Sequence, residues 1–245
     1  MQWITLKTSA LVMIRAVFFD WFNTLAHNDP PRYQLHVQAC HELGINVSPE
    51  AVKRGISVAD RYFFEENTRS PVEKRSPEEK GRVYAHYQDI LMGEARVSAT
   101  KEQMRQIRDR VQQLYKDVKW VLFDDVLSTL EMLKARQLVL GMLTNATREL
   151  LAVNSELGLE QHLDFVVISE EVGDDKPRPP IFLAALERAG VSASEAMHIG
   201  DQYQVDVVGA RGVGINPVLL DRSDVFTEVT DCPRIRTLPE IADLL

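Results

Sequence analysis

Cysteine is scarce in this chain of 245 residues. Cys40 and Cys232 lie far apart, without metal-ligand spacing. That excludes a disulfide-stapled scaffold and a cysteine-type zinc site, and two free thiols fit a cytoplasmic protein. Long apolar runs are missing too: none reaches the roughly 18 residues that a membrane helix needs. Met1 to Val12 holds one lysine and no long apolar stretch, so no signal peptide is expected there. Met13 leads directly into the first apolar run, and the twelve residues before it are read as an upstream start or a dispensable extension. Basic residues are outnumbered, 28 Lys and Arg against 36 Asp and Glu, for a formal charge of −8. A general binder of nucleic acid or of acidic membrane is thereby excluded, although a local basic pocket is not. There is no internal repeat and no low-complexity segment. What remains is the composition of an ordinary globular protein, 45% hydrophobic and 26% charged, long enough for one domain with an insertion or for two small domains.

Five short apolar runs read as strands buried on both faces: Ile14 to Phe19, Leu138 to Leu143, Phe165 to Ile168, Ala196 to Ile199 and Ile215 to Leu220. Helical patterns alternate with them over Val126 to Arg136, Thr147 to Leu157, Pro180 to Ala189 and Tyr203 to Arg211. This alternation predicts an α/β protein with a Rossmann-like parallel sheet between two layers of helices. Pro30 to Lys116 is different, with helical periodicity and no buried strand. Helices are expected over Tyr33 to Leu43, Pro49 to Glu65, Pro77 to Met92 and Thr100 to Leu114. Ser48-Pro49-Glu50 and Ser76-Pro77-Glu78 are helix starts, with serine as cap and proline in the first turn. The division is therefore a core of residues 13–27 and 117–245 with a helical cap, 28–116, inserted between them. Hinges are expected near His27 to Pro31 and Lys116 to Trp120.

Chemistry concentrates where the strands end. Asp20, Thr144 and Asp201 each follow a predicted strand, and ligands of open α/β sheets bind outside the carboxyl ends of the strands. Asp20 stands in an Asp-x-x-x-Thr frame with Thr24, where an aspartate can act as a carboxylate nucleophile. Asp201 and Asp206 lead into a helix that carries Gly209. A pair of carboxylates at strand ends suits Mg²⁺, a hard cation that takes few carboxylates and keeps water. Thr144 and the backbone N–H of Asn145 could bind the oxygens of an anion such as a phosphoryl group, and Lys176 would supply positive charge. Phosphoryl transfer is mostly positioning and charge stabilisation.

Four segments taken together, Phe18-Phe19-Asp20-Trp21-Phe22-Asn23-Thr24-Leu25, Leu143-Thr144-Asn145, Lys176-Pro177 and Gly200-Asp201 through Asp206, resemble the four motifs of the haloacid dehalogenase-type hydrolases. The resemblance covers roughly Ile14 to Leu25 and Lys119 to Arg222. It implies that Asp20 attacks the substrate and that Thr24 holds one of its carboxylate oxygens. It also implies Mg²⁺ on Asp20, Asp201 and the main-chain carbonyl of Phe22, with Asp206 behind them or orienting Lys176. The expected activity is Mg²⁺-dependent hydrolysis of a small phosphorylated molecule through an aspartyl-phosphate.

Phe22 departs from that pattern. The phosphatases of the family carry there an Asp that protonates the leaving group, worth about 10²–10⁴-fold in rate. Phenylalanine cannot transfer a proton, although its carbonyl can still meet a metal. His27 and Asp29 are nearby candidates for a replacement acid. The family's dehalogenases also lack that Asp, and their halide leaves without protonation. Yet they use no metal and lack the residue that stands here as Asp201. Three readings stay open: a phosphoryl hydrolase suited to good leaving groups, a haloacid dehalogenase with Arg32 as its carboxylate anchor, and a slow or non-catalytic binding module. The substrate and the oligomeric state are not legible, and the aromatics Tyr33, Tyr62, Phe63 and Phe64 read as helix core or pocket lining.

Overall fold

The computed structural model describes residues 13–245; the extension expected over residues 1–12 lies outside them. Six parallel strands form the main sheet: β1 Ala16–Phe19, β4 Val139–Thr144, β5 Phe165–Ile168, β6 Ala196–Gly200, β7 Asn216–Leu220 and β8 Arg234–Ile235, in the order β5-β4-β1-β6-β7-β8. Every residue of β1 is buried, as expected for a central strand covered on both faces. Its side chains alternate between two cores. Val17 and Phe19 join Leu130 and Leu133 of α5 (Val126–Ala135). Ala16 and Phe18 join Ile181, Phe182 and Ala185 of α8 (Pro179–Ala189). Phe18 and Phe19 sit in different cores, and burying each contributes about 1.5–3 kcal/mol. The three layers follow from this alternation.

Four helices interrupt the core: α1 Arg32–Glu42, α2 Pro49–Arg69, α3 Pro77–Glu94 and α4 Lys101–Leu114. They enclose a core of their own, built on Leu35, Val52, Ile56, Leu91 and Ile107, which also buries Cys40. Cys40 and Cys232 are both free thiols. Ser48 Oγ accepts from the Ala51 N–H at 3.1 Å, and Ser76 and Glu79 form a reciprocal capping box. Gly55 sits where α2 and α3 touch: a Cβ there would stand 2.3 Å from the Leu91 carbonyl oxygen.

Several boundaries differ from the sequence reading. Helix α2 runs past Glu65 to Arg69, where Arg75 closes it by donating to the carbonyls of Glu66 at 2.6 Å and Ser70 at 2.7 Å. Gly93 lies inside α3, and the chain turns at Arg96, whose φ is 55°. The segments expected as hinges overlap a paired ribbon. Ala26–Asp29 (β2) pairs antiparallel with Lys119–Leu122 (β3), forming a ribbon at the base of the helical insertion. The polar segment Ala-His-Asn-Asp carries little strand signal, because cross-strand pairing decides it. The helix expected over Tyr203 to Arg211 is one π-helical turn, Tyr203–Val207, followed by α9, Val208–Gly212. Among the described residues, no helix is long and apolar enough to cross a membrane.

Candidate active site

The strands β4, β1 and β6 are neighbours in the sheet, so their carboxyl ends bring Thr144, Asp20 and Asp201 to one place. The Asp20 N–H donates to the Ile199 carbonyl at 2.8 Å, which holds the strand end against β6. Lys176 is buried and donates from Nζ to Asp20 Oδ1 and to Asp206 Oδ1, each at 2.7 Å. Burial opposes charge on this lysine, but the two carboxylates outweigh it and hold the ammonium above its ordinary range. Asn145 clamps the lysine backbone, accepting from the Lys176 N–H at 2.7 Å and donating to its carbonyl at 2.9 Å.

Asp206 is fully engaged. Besides Lys176 it meets His198 Nε2 at 3.0 Å and accepts from the Gln202 N–H at 3.1 Å. The π-turn aims it back at β6, and only glycine fits at position 200: a Cβ there would lie 2.1 Å from the Asp206 carboxyl carbon. Burial pushes Asp206 up, yet Lys176 and His198 overcome it and keep the carboxylate well below the usual range.

Asp20 and Asp201 are pushed the other way. Burial raises Asp20 from 3.8 to about 6, against the pull of Lys176 and helped by Asp206. Asp201 also rises, through burial and then the charges of Asp20 and Asp206. Gln202 Nε2 at 2.8 Å and Asn23 Nδ2 at 3.3 Å are its hydrogen-bond donors, Asn23 being held at a φ of 60°. Carboxylate oxygens of Asp20, Asp201 and Asp206 lie within 4.8 Å of one another. Three carboxylates against one lysine leave excess negative charge, which suits a hard divalent cation. With Asp206 saturated by its partners, Asp20 and Asp201 are the two with oxygens to offer.

The bond expected between Thr24 and Asp20 is not formed. Thr24 Oγ1 is buried without a partner among the described residues; Lys176 takes Asp20 Oδ1, and Arg222 holds the Thr24 carbonyl at 3.0 Å. Thr144 is buried at the end of β4. Phe22 meets Trp120 edge-on at 5.6 Å and lies 5.3 Å from the Arg32 guanidinium. Arg32 is paired with Asp60, which also accepts from Tyr87 Oη at 2.8 Å. A cleft of about 210 Å³ opens beside these groups, lined among others by Phe22, Asn23, Asp201 and Gln202 and by Tyr33 of α1 and Lys53 and Asp60 of α2; Asp20, Thr144 and Lys176 are not in its lining. His27 lines it too; its Nδ1 donates to the Asn28 carbonyl at 2.9 Å, which leaves Nε2 unprotonated when the ring is neutral. Asp29 is exposed and lies outside the lining. Of the other aromatics, Tyr62 packs on His86 and Phe63 on Tyr84.

Sequence reasoning left His198, Asn23, Gln202 and the clamping side chain of Asn145 without roles. His198 carried a signal, being the single ionisable residue in the buried strand Ala-Met-His-Ile-Gly. The other three carried none.

A family model described as haloacid dehalogenase-like hydrolase matches residues 14–214. The human haloacid dehalogenase-like hydrolase domain-containing protein 3 is 28% identical over 240 residues, covering 96% of this chain and 93% of that protein. A ribulose-1,5-bisphosphate 5-phosphatase of Halopiger xanaduensis is 35% identical, over 51% of this chain and 56% of its own length. A phosphoserine phosphatase of Thermus thermophilus is 38% identical over 42% of each. Among solved structures, a 2-haloacid dehalogenase from Pseudomonas syringae is 26% identical with a TM-score of 0.55, covering 95% of this chain and 98% of that one. A HAD phosphatase from Thermococcus onnurineus shares the fold at 24% identity and a TM-score of 0.55, covering 94% and 97%.

Proposed function

Because this chain belongs to the haloacid dehalogenase-like hydrolases, we propose that it is an Mg²⁺-dependent phosphoryl hydrolase acting on small phosphorylated molecules. The observation that carries this reading is the group of three carboxylates around one buried lysine at adjacent strand ends. Asp20 is the nucleophile: its carboxylate attacks phosphorus, the leaving oxygen departs, and water later hydrolyses the aspartyl-phosphate. Lys176 steadies the nucleophile and the charge of the phosphoryl group. Thr144 and the Asn145 N–H receive phosphoryl oxygens, and Asp206 with His198 fixes the lysine. Asp20, Asp201 and the Phe22 carbonyl would hold Mg²⁺, which neutralises phosphoryl charge when bound.

The helical insertion, residues 28–116 in the sequence division, acts as a cap over this site. With Phe22 in place of an acid, the enzyme favours leaving groups that depart unprotonated, such as acyl or aryl phosphates. Of His27 and Asp29, only His27 lines the cleft, and with Nδ1 donating to Asn28 it serves as a replacement acid only as the imidazolium, through Nε2. The dehalogenase reading needs a guanidinium free to bind a substrate carboxylate, and the charge of Arg32 is already taken up by Asp60. The ribulose-bisphosphate phosphatase and phosphoserine phosphatase relatives are named for small phosphorylated substrates, in keeping with the reading. Two free thiols support the cytoplasmic location expected from the sequence.

Thermal unfolding with Mg²⁺ and beryllium fluoride, a mimic of the aspartyl-linked phosphoryl group, tests the metal and the nucleophile together. Ligand at about 100 times its Kd adds roughly 2.7 kcal/mol, or roughly 5–10 °C in Tm. The raised carboxylates set the pH dependence. Without metal, the folded protein binds more protons than the unfolded one between 3.8 and about 6, so this contribution to stability falls as pH rises through that window. Mg²⁺ binds the ionised form, so its stabilisation is full at pH 7.5 and is lost as pH falls through about 6. Asp20→Asn removes the beryllium fluoride increment. An Mg²⁺ effect equal at pH 5 and pH 7.5, or an increment that survives Asp20→Asn, would contradict the proposal.

A further inference from the structure

Among the described residues, two of the three Lys and Arg side chains that line the cleft are paired with carboxylates, and Lys53 is not. Arg32 is held by Asp60. Arg222 donates to both carboxylate oxygens of Asp125, each at 2.9 Å. Asp221 accepts from Arg234 at 2.9 Å and from two backbone N–H groups. Lys53 has no carboxylate partner among the described residues. Its ammonium lies 4.4 Å from the centre of the Tyr33 ring, a contact that positions the charge without neutralising it. Both residues line the same cleft as Asn23, Asp201 and Gln202.

Resting on the phosphoryl-hydrolase reading, we infer that Lys53 is the anchor for a second anionic group, so that the substrate is a small phosphorylated molecule carrying a carboxylate or a further phosphate. The phosphoryl group to be cleaved lies beside Asp201, the member of the carboxylate cluster that lines the cleft, and the second anion reaches Lys53 on α2. The cleft volume, about 210 Å³, is below the roughly 300–1,000 Å³ of sites for drug-sized ligands, which suits such a compact molecule. Tyr33 restricts the lysine and adds an aromatic ring to the lining. Selection arises because only a doubly anionic ligand compensates the charge at both ends of the cleft.

Calorimetric binding of phosphonobutyrate and butylphosphonate, in saturating Mg²⁺, compares ligands with and without the second anion. Wild type is expected to prefer phosphonobutyrate by about fivefold to tenfold, less at high salt because the anchor is exposed. Lys53→Ala should bring that ratio close to one, Lys53→Arg should keep most of it, and Lys101→Ala at the exposed start of α4 serves as control. No preference in wild type, no binding of either ligand, or a preference that survives Lys53→Ala would overturn the inference. Hydrolysis of p-nitrophenyl phosphate by the same wild-type sample reads the underlying activity separately. Failure to hydrolyse it, with the binding preference intact, would overturn the phosphatase reading and leave the anion anchor standing.

Discussion

Lys176→Met is expected to lower stability by about 3–5 kcal/mol and to abolish turnover. Lys176 is the one cation between Asp20 and Asp206, and it contacts both at 2.7 Å. Methionine matches its length and fills the space, so the loss comes from charge and not from a cavity. Two buried carboxylates would then face each other without compensation, and Asp20, already raised to about 6, would rise further and cease to be ionised at neutral pH. For a chain of this size the loss corresponds to roughly 6–20 °C in Tm, read by circular dichroism. Adding Asp206→Asn removes one of the stranded charges, so the double variant should recover part of the stability and none of the activity. A single variant with unchanged Tm, or one that still hydrolyses p-nitrophenyl phosphate, would contradict the role given to this lysine.

Phe22→Asp carries the second large effect. If the missing acid limits the enzyme, a carboxyl group at this position should raise kcat/KM on alkyl phosphates by about 10²-fold. That is the low end of what a positioned acid contributes. The low end is chosen because nothing beside Phe22 is free to orient a new carboxyl group: Arg32 is already paired with Asp60, and Trp120 offers a ring. The gain on p-nitrophenyl phosphate should be far smaller, because p-nitrophenolate leaves without protonation. Loss of the ring contact with Trp120 will lower stability at the same time, which a melting curve reads independently. Equal gains on both substrates, or no gain on either, would mean that another group, His27 foremost, already delivers the proton.

How much of this was legible beforehand depends on the range of the interactions involved. The runs ending in Asp20, Thr144 and Asp201 were legible because strands buried on both faces must be continuously apolar, and a polar residue at the end of such a run stands out. The serine caps of α2 and α3 were legible because capping is local. The ribbon of Ala26–Asp29 with Lys119–Leu122 was not, because each segment becomes a strand only by pairing across the whole helical insertion. The π-turn after Asp201 was hidden likewise, since its helical pattern is ordinary and the demand that Asp206 reach Lys176 is tertiary. Thr24 matched the motif by type and spacing, yet its hydroxyl makes no bond to Asp20, because spacing fixes a neighbourhood and not a rotamer. The pairing of Arg32 with Asp60, which weakens the dehalogenase reading, joins α1 to α2 and left no mark in the sequence.

The most direct test of the central claim is the rate at which the purified protein hydrolyses acetyl phosphate and p-nitrophenyl phosphate, with Mg²⁺ and with EDTA, beside Asp20→Asn. The account predicts turnover of both substrates with Mg²⁺, none with EDTA, and none in Asp20→Asn under either condition. Turnover that persists in EDTA or in Asp20→Asn, or its absence from the wild-type protein with Mg²⁺, would contradict it.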